Sequence, residues 1–103
     1  MNLIQKLFGS APAVDLKSVI DEGAFLADVR TPGEFNSGHI KGSVNIPLDS
    51  ITQQLAKFKG KKNIIVFCRS GARSTQAKAI LQQNGIDHVF NGGSWQNIKQ
   101  FVK

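Results

Sequence analysis

The segment of residues 63–67, an asparagine followed by Ile, Ile, Val and Phe, constrains the fold of this chain more than any other feature. Its β-branched side chains favour an extended strand, and its lack of polar alternation indicates that both faces of that strand are covered. Cys68 follows at the carboxyl end of the segment. The segment therefore predicts a central strand of a parallel sheet, packed between two layers of other elements.

Other strand-like and helical segments alternate along the chain. Apolar or β-branched runs predict strands at residues 25–29, 44–46 and 88–90, and apolar residues at helical spacing predict helices at 15–20, 50–58 and 73–84. This alternation predicts a three-layer α/β/α fold in which helices cover both faces of a mainly parallel sheet. In such sheets, ligands bind at the carboxyl ends of the strands.

Polar residues and glycine at the ends of these segments support the helix assignments. Asp15 and Ser50 are suited to cap the helices that follow them, and Gly85 is suited to end the helix before it. Thr31 stands three residues before Glu34, which is the spacing of a capping box. We therefore expect a short helix to begin directly after the first strand.

The length and composition of the chain fit one small domain. Of its 103 residues, 41% are hydrophobic, which is enough for one core and one active site. We interpret residues 1–12 as an amphipathic segment and hinge, and residues 13–103 as the domain. The apolar stripe of the first segment could touch a membrane surface or cover a groove, but packing or fraying is the simpler interpretation. Since we find no signal peptide and no membrane span, we expect a cytoplasmic protein.

The charge balance and the single cysteine limit the cofactors and partners. Thirteen Lys and Arg against seven Asp and Glu give a net charge of +6, which favours small anions or acidic partner surfaces. The lysines within residues 57–62 lack interleaved aromatic residues that stack bases, so we interpret them as a solvated loop and expect no nucleic acid partner. One cysteine excludes an internal disulfide and a multi-thiolate metal site. We expect no metal, no other cofactor and a reducing compartment.

The residues after the central strand have the composition of a cysteine active site. A thiol between a strand and the first turn of a helix receives backbone N–H hydrogen bonds and the positive end of the helix dipole, so its pKa should fall below about 8.5. Gly71 permits a tight turn, and two arginines and two serines add positive charge and hydrogen-bond donors. An isolated buried cysteine is more often structural, but these flanks favour a nucleophile at Cys68. The expected binding loop is Arg69, Ser70, Gly71, Ala72, Arg73 and Ser74.

Several motifs resemble those of the rhodanese-like sulfurtransferases. Residues 68–74 resemble the active-site loop of that family, residues 28–30 with 34–35 resemble its first motif, and further matches follow in the family's order at 38–40, 42, 45–47 and 92–93. The tryptophan that usually follows the paired glycines at some distance comes sooner here, at Trp95. The resemblance implies a five-stranded parallel sheet between helices. It also implies a cycle in which the cysteine takes up sulfur as a persulfide and passes it to a nucleophilic acceptor.

The same fold, by resemblance, serves dual-specificity phosphatases, so the length of the loop decides between two chemistries. Those enzymes place one residue more between their cysteine and arginine than the four that separate Cys68 from Arg73. A shorter ring of amides suits a single terminal sulfur atom better than the oxygens of a phosphate. We therefore expect sulfur transfer, and a phosphatase is disfavoured.

Arginines at the second and sixth loop positions, Arg69 and Arg73, resemble those of thiosulfate-using members of the family. We expect a small anionic sulfur donor such as thiosulfate, and cyanide, a thiol or a thioredoxin-like protein as the acceptor. The alternative is a persulfide carrier that accepts sulfur from a partner protein. A catalytically dead regulatory domain is disfavoured because the cysteine is present. We expect a monomer or a weak dimer.

Four polar residues outside the loop are interpreted as structural support: Asp28, Arg30, Glu34 and His39. Asp28 and Arg30 could form an acid–base pair, but sulfur transfer needs little proton movement. We therefore expect Arg30 to pair with Glu34, and Asp28 to anchor neighbouring loops. His39 has no second metal ligand at suitable spacing, which favours a structural histidine. Trp95 could wall the mouth of the site or pack at the edge of the domain.

Overall fold

The computed structural model describes residues 15–102 and shows an α/β fold. The elements are α1 (Leu16–Asp21), β1 (Phe25–Asp28), α2 (Pro32–Ser37), β2 (Val44–Asn45), a 3₁₀ segment (Leu48–Lys57), β3 (Ile64–Cys68), α3 (Ala72–Gln83), β4 (Val89–Ser94) and α4 (Trp95–Lys99). The amphipathic segment and hinge predicted at residues 1–12 lie outside the described residues. Within those residues, none of the helices has the length and apolar character needed to cross a membrane.

The strands form one parallel sheet in the order β2-β1-β3-β4. All five residues of β3 are buried, as the apolar run predicts for a central strand. Over residues 15–102 the sheet has four strands, one fewer than the resemblance implied. In this range the chain passes from β4 directly into α4, so no further strand follows β4.

Helices cover both faces of the sheet, as predicted. On one face, α3 and the 3₁₀ segment pack over a core that includes Ala27, Ile46, Ile51, Phe58, Ile64, Val66, Ala77 and Leu81. On the other face, α1 and α4 pack over Leu26, Ile40, Ile65, Phe67 and Ile98. Consecutive residues of β3 therefore contribute to opposite cores, because successive side chains of a strand point to opposite faces.

Two of the predicted helix starts are confirmed and one is wrong. The Asp15 side chain caps α1, and Thr31 and Glu34 form the reciprocal bonds of a capping box at α2. Ser50 is not a cap, because it lies inside the 3₁₀ segment, where its hydroxyl donates to the Pro47 carbonyl at 3.4 Å. The segment begins directly after Pro47, whose ring fixes φ and favours an earlier turn.

The last strand is longer than predicted and starts one residue later. His88 precedes β4 and has a φ of 60°, a left-handed conformation that does not continue a strand. At its other end β4 continues through the paired glycines Gly92 and Gly93 to Ser94. Sequence reasoning ended the strand earlier because glycine is depleted in strands and typical of turns.

A bulge at the paired glycines brings β4 close to the carboxyl end of β3. Val66 pairs with Asn91, but the next residue of β3, Phe67, pairs with Gly93, so Gly92 is the additional residue. A side chain does not fit at Gly92, since a Cβ atom there would lie 2.7 Å from the Ile98 Cδ1 atom. Gly93 lies beside the turn that follows β3, since a Cβ atom at Gly71 would be 3.6 Å from the Gly93 Cα atom.

Candidate active site

Cys68 lies at the carboxyl end of β3, at the start of a turn that leads into α3. Its side chain is buried, with 0% exposure. The backbone N–H of Gly71 donates to the Cys68 Sγ atom at 2.9 Å, and the Ser74 Oγ atom lies 3.8 Å from the same sulfur. Gly71 has a φ of +105°, which glycine adopts without strain. This conformation lets the chain bend back so that its amide points at the sulfur.

The turn holds the pKa of the Cys68 thiol below its ordinary value. Burial raises the pKa, but hydrogen bonds from the backbone amides of Ser74, Gly71 and Ser70, together with the side-chain hydrogen bond between Cys68 and Ser74, outweigh that effect. The sulfur also stands before the amino end of α3, where the helix dipole favours negative charge. Because the thiolate is the nucleophilic form of cysteine, the turn stabilises the reactive state.

A set of hydrogen bonds joins this turn to β4. The Ser74 Oγ atom lies 2.7 Å from the Asn91 Oδ1 atom and 3.0 Å from the Gly71 carbonyl oxygen. Asn91 Nδ2 donates to the Thr75 hydroxyl at 2.9 Å, and that hydroxyl donates to the Gly71 carbonyl at 2.8 Å. Sequence reasoning missed Asn91 and Thr75. The available signal was the position of Asn91 directly before the paired glycines.

Arg73, on the first turn of α3, forms an ion pair with Glu34 of α2. The Nη1 and Oε1 atoms lie 2.6 Å apart, and Nη2 and Oε2 lie 3.1 Å apart. The hydrogen bond from Arg73, followed by one from the backbone N–H of Thr31, lowers the pKa of Glu34 to about 2. The prediction that Glu34 pairs with Arg30 is wrong, because its carboxylate is already occupied by these two partners.

Arg30 instead pairs with Asp28, only two residues away. Arg30 Nε and Nη2 donate to the Asp28 carboxylate at 3.0 and 2.8 Å, and both side chains are almost fully buried. The Arg30 backbone N–H also donates to Asp28 Oδ1, which folds the chain back on itself at the end of β1. Arg30 further donates to the Gly38 carbonyl at 2.7 Å, and its guanidinium lies 4.5 Å from the ring centre of Trp95.

A cavity of about 490 Å³ opens beside the turn, lined by Arg30, Glu34, Ser37, Arg69, Ser70, Trp95 and Gln96. Trp95 therefore walls this cavity while its ring packs against Arg30. Of the arginines at this end of the sheet, Arg30 and Arg73 are paired with carboxylates, whereas Arg69 has no carboxylate partner among residues 15–102. Arg69 and Arg73 are both expected to add positive charge around the mouth of the site, and Glu34 offsets the charge of Arg73.

Two other residues with predicted roles, His39 and Ala72, are not among the residues that hydrogen-bond the Cys68 sulfur. The His39 ring stacks on Phe35 with the ring centres 3.8 Å apart, and its Nδ1 atom lies 2.9 Å from the Phe35 carbonyl oxygen. His39 is not among the residues that line the cavity. Ala72, the fifth residue of the predicted loop when Cys68 is counted as the first, is exposed and begins α3. Residues 15–102 contain no group of three side chains placed to hold a metal ion.

Comparison with known proteins assigns the chain to a family. The model of the family described as the rhodanese-like domain matches residues 12–100. Thiosulfate sulfurtransferase PspE of Escherichia coli is 38% identical over 73 residues, which are 69% of this chain and 70% of that protein. The tRNA uridine(34) hydroxylase of Salmonella paratyphi B is 29% identical over 86 residues, but the chain covers only 25% of its length.

A solved structure shows the same arrangement of elements. The human single-domain sulfurtransferase TSTD1 superimposes with a TM-score of 0.71 at 28% identity, over 87% of this chain and 96% of that one. The sequence motifs and the α/β fold agree with these matches. The chain therefore belongs to the rhodanese-like domain family.

Proposed function

We propose that this chain is a thiosulfate sulfurtransferase that carries sulfur as a persulfide on Cys68. The contact that carries this proposal is the 2.9 Å hydrogen bond from the Gly71 amide to the Cys68 sulfur. Backbone amides stabilise negative charge on the sulfur without a side-chain base, which suits a nucleophile that exchanges sulfur atoms rather than protons. The names of PspE and TSTD1 support the same reaction class.

In the first half of the reaction, the Cys68 thiolate attacks the outer sulfur of thiosulfate. A bond forms between Sγ and that sulfur, the bond to the sulfonate sulfur breaks, and sulfite leaves with the electron pair. The total charge is unchanged, because a thiolate and a dianion become a persulfide anion and a sulfite dianion. Arg69, without a carboxylate partner in the described part of the chain, would attract the donor and offset charge on the departing sulfite.

In the second half, a nucleophilic acceptor attacks the outer sulfur of the persulfide. The sulfur–sulfur bond breaks, the electron pair returns to Sγ, and Cys68 is again a thiolate. Cyanide leaves as thiocyanate, and a thiol of a small molecule or a thioredoxin-like protein leaves as a persulfide. Since Cys68 is the only cysteine of the sequence, the persulfide passes to an outside molecule rather than to a second thiol of the same chain.

Intact-mass spectrometry tests the persulfide directly. After incubation with thiosulfate, we expect the parent chain to gain one sulfur atom and to lose it again when cyanide is added. Cys68→Ser is the matched control and should gain nothing. An unchanged mass for the parent, or the same gain in Cys68→Ser, would overturn the proposal.

Steady-state kinetics distinguish an enzyme that uses free thiosulfate from a carrier that receives sulfur from a partner protein. Saturation at moderate thiosulfate concentrations supports the proposed enzyme. A very high KM for thiosulfate, together with rapid exchange between Cys68 and a protein persulfide, would instead indicate the carrier. The parent chain and Cys68→Ser are compared in both assays.

A further inference from the structure

The Ser74 hydroxyl stands between the Cys68 sulfur and the Asn91 side chain. Ser74 is fully buried, and its Oγ atom lies 3.8 Å from Cys68 Sγ, 2.7 Å from Asn91 Oδ1 and 3.0 Å from the Gly71 carbonyl oxygen. A hydroxyl has one hydrogen and two lone pairs, so it can direct that hydrogen to only one of these acceptors at a time. The shortest of the three distances is to Asn91.

The neighbours of Asn91 fix the orientation of its amide. The backbone N–H of Gly93 can only donate, and it lies 2.9 Å from Asn91 Oδ1, so the oxygen faces Gly93 and Ser74. The Nδ2 atom donates to Thr75, whose own hydrogen goes to the Gly71 carbonyl. A flipped amide would place its NH₂ group against the Gly93 N–H and lose these bonds. Asn91 therefore presents an acceptor, not a donor, to Ser74.

We propose that Asn91 is a positioning residue that directs the hydrogen of the Ser74 hydroxyl away from the Cys68 sulfur. With that hydrogen on Asn91, Ser74 Oγ presents a lone pair to the Cys68 S–H group. When the thiolate or the persulfide forms, the hydroxyl must rotate from Asn91 toward the sulfur to donate to it. Asn91 thereby sets the balance between the protonated and charged forms of Cys68. This inference rests on the proposed function, because it concerns the thiol that would carry sulfur.

The charged groups near the sulfur come from elements other than β4. They are Arg69 in the turn, Arg73 on α3 with its partner Glu34 on α2, and the buried Asp28–Arg30 pair at the end of β1. The six residues of β4 include no charged side chain. A substitution at Asn91 therefore changes the hydrogen bonding of Ser74 without removing any of these charges.

Two substitutions at Asn91 have opposite expected effects. Asn91→Leu keeps a similar shape but removes the nearest acceptor, so only the Gly71 carbonyl then competes with the sulfur for the Ser74 hydrogen. We expect the pH midpoint of Cys68 alkylation by iodoacetamide to fall by about half a pH unit. Asn91→Asp keeps the acceptor and adds a negative charge, so the midpoint should rise by about 0.5 to 1 pH unit. A general loosening of β4 would move both midpoints in the same direction.

The Ser74→Ala background separates an effect through the hydroxyl from any other effect. In that background, Asn91→Leu should leave the alkylation midpoint unchanged, and Asn91→Asp should keep only the part caused by its charge. Gln83→Glu, which adds the same charge at the exposed far end of α3, is the control and should not shift the midpoint.

Two results would overturn the role of Asn91. One is an equal shift by Asn91→Leu with and without the Ser74 hydroxyl, and the other is a shift in the same direction by Asn91→Leu and Asn91→Asp. Alkylation needs no sulfur donor, and Cys68 is the only thiol that it can report. A chain that fails to turn over thiosulfate would therefore contradict the proposed function while leaving this measurement intact.

Discussion

Arg73 and Glu34 are 39 positions apart in the sequence, and they form a two-point ion pair that fastens α3 to α2. The carboxylate also accepts the Thr31 N–H at 3.1 Å, so one side chain closes the capping box and holds the arginine. The charge of Arg73 is thus committed to holding the first turn of α3 in place. Since the amides of that turn point at Cys68, the ion pair supports the geometry around the sulfur.

Glu34→Gln should make the free energy of unfolding depend less on pH in the acid range. The pKa of Glu34 falls from 4.5 to about 2 in the folded chain, so its contribution is complete above pH 4.5 and is lost as the pH falls toward 2. Because the pair is partly exposed, we expect the free energy of unfolding at pH 7 to decrease by about 1 kcal/mol. Near pH 2, parent and variant should differ little. Urea unfolding at several pH values measures both effects.

Glu22→Gln is the matched control for this experiment. Glu22 is exposed, and it has no ion pair within residues 15–102. We expect its free energy of unfolding to stay within about 0.5 kcal/mol of the parent at every pH. The same pH dependence in Glu34→Gln as in the parent would show that the ion pair contributes nothing to stability.

Asp28→Asn should be far more damaging than Asp21→Asn. Asp28 is fully buried and pairs with Arg30, so its removal leaves a buried guanidinium without its counter-charge. We expect a loss of about 3 kcal/mol. Asp21 pairs with Lys17 on the surface of α1, where the loss should be about 0.5 kcal/mol or less. Thermal or urea unfolding of both variants checks this, and similar losses would contradict the assigned difference between buried and exposed pairs.

Local signals in the sequence predicted the elements and the place of Cys68 at the end of the central strand. The apolar run before Cys68 and the spacing of Thr31 and Glu34 depend on neighbouring residues, and both features are present in the structure. The partner of Glu34 was not predictable in the same way. It depends on α2 and α3 meeting at one end of the sheet, and no local sequence pattern predicts the strand order that brings them there.

The role of Asn91 escaped sequence reasoning for a related reason. Its contacts require β4 to run on through Gly92 to Ser94, whereas glycine predicts the end of a strand. The Asn91 side chain lies on the face of β4 that α3 covers, beside Ser74. The bulge that follows it at Gly92 is set by packing between strands, which no single segment of sequence reveals.

Arg69→Ala should weaken the use of thiosulfate mainly through KM. Arg69 lines the cavity and has no carboxylate partner in the described part of the chain, so its charge is available to a donor anion. Loss of about 1 kcal/mol of attraction corresponds to a rise in KM of roughly five-fold, and salt should reduce the difference. Arg69→Lys should recover most of the affinity.

Lys62→Ala is the matched control. It removes one positive charge just before the amino end of β3 and should change the KM for thiosulfate little. Equal effects of Arg69→Ala and Lys62→Ala would refute a local role for Arg69.

Gly71→Ala should reduce both the stability of the turn and the reactivity of Cys68. The φ of +105° at this position disfavours any residue with a Cβ atom, at a cost of about 1 to 2 kcal/mol. If the turn relaxes to relieve that strain, the Gly71 amide moves away from the sulfur, and the pKa of Cys68 rises toward its ordinary value. Iodoacetamide should then alkylate the variant several-fold more slowly at pH 7, since each unit by which the thiol pKa rises lowers the thiolate fraction about ten-fold.

Gly33→Ala, within α2, is the control. Gly33 has open space around it and no left-handed φ, so this variant should keep the parent's alkylation rate and gain up to about 1 kcal/mol of stability. Equal alkylation rates for Gly71→Ala and the parent would mean that the Gly71 amide does not stabilise the thiolate.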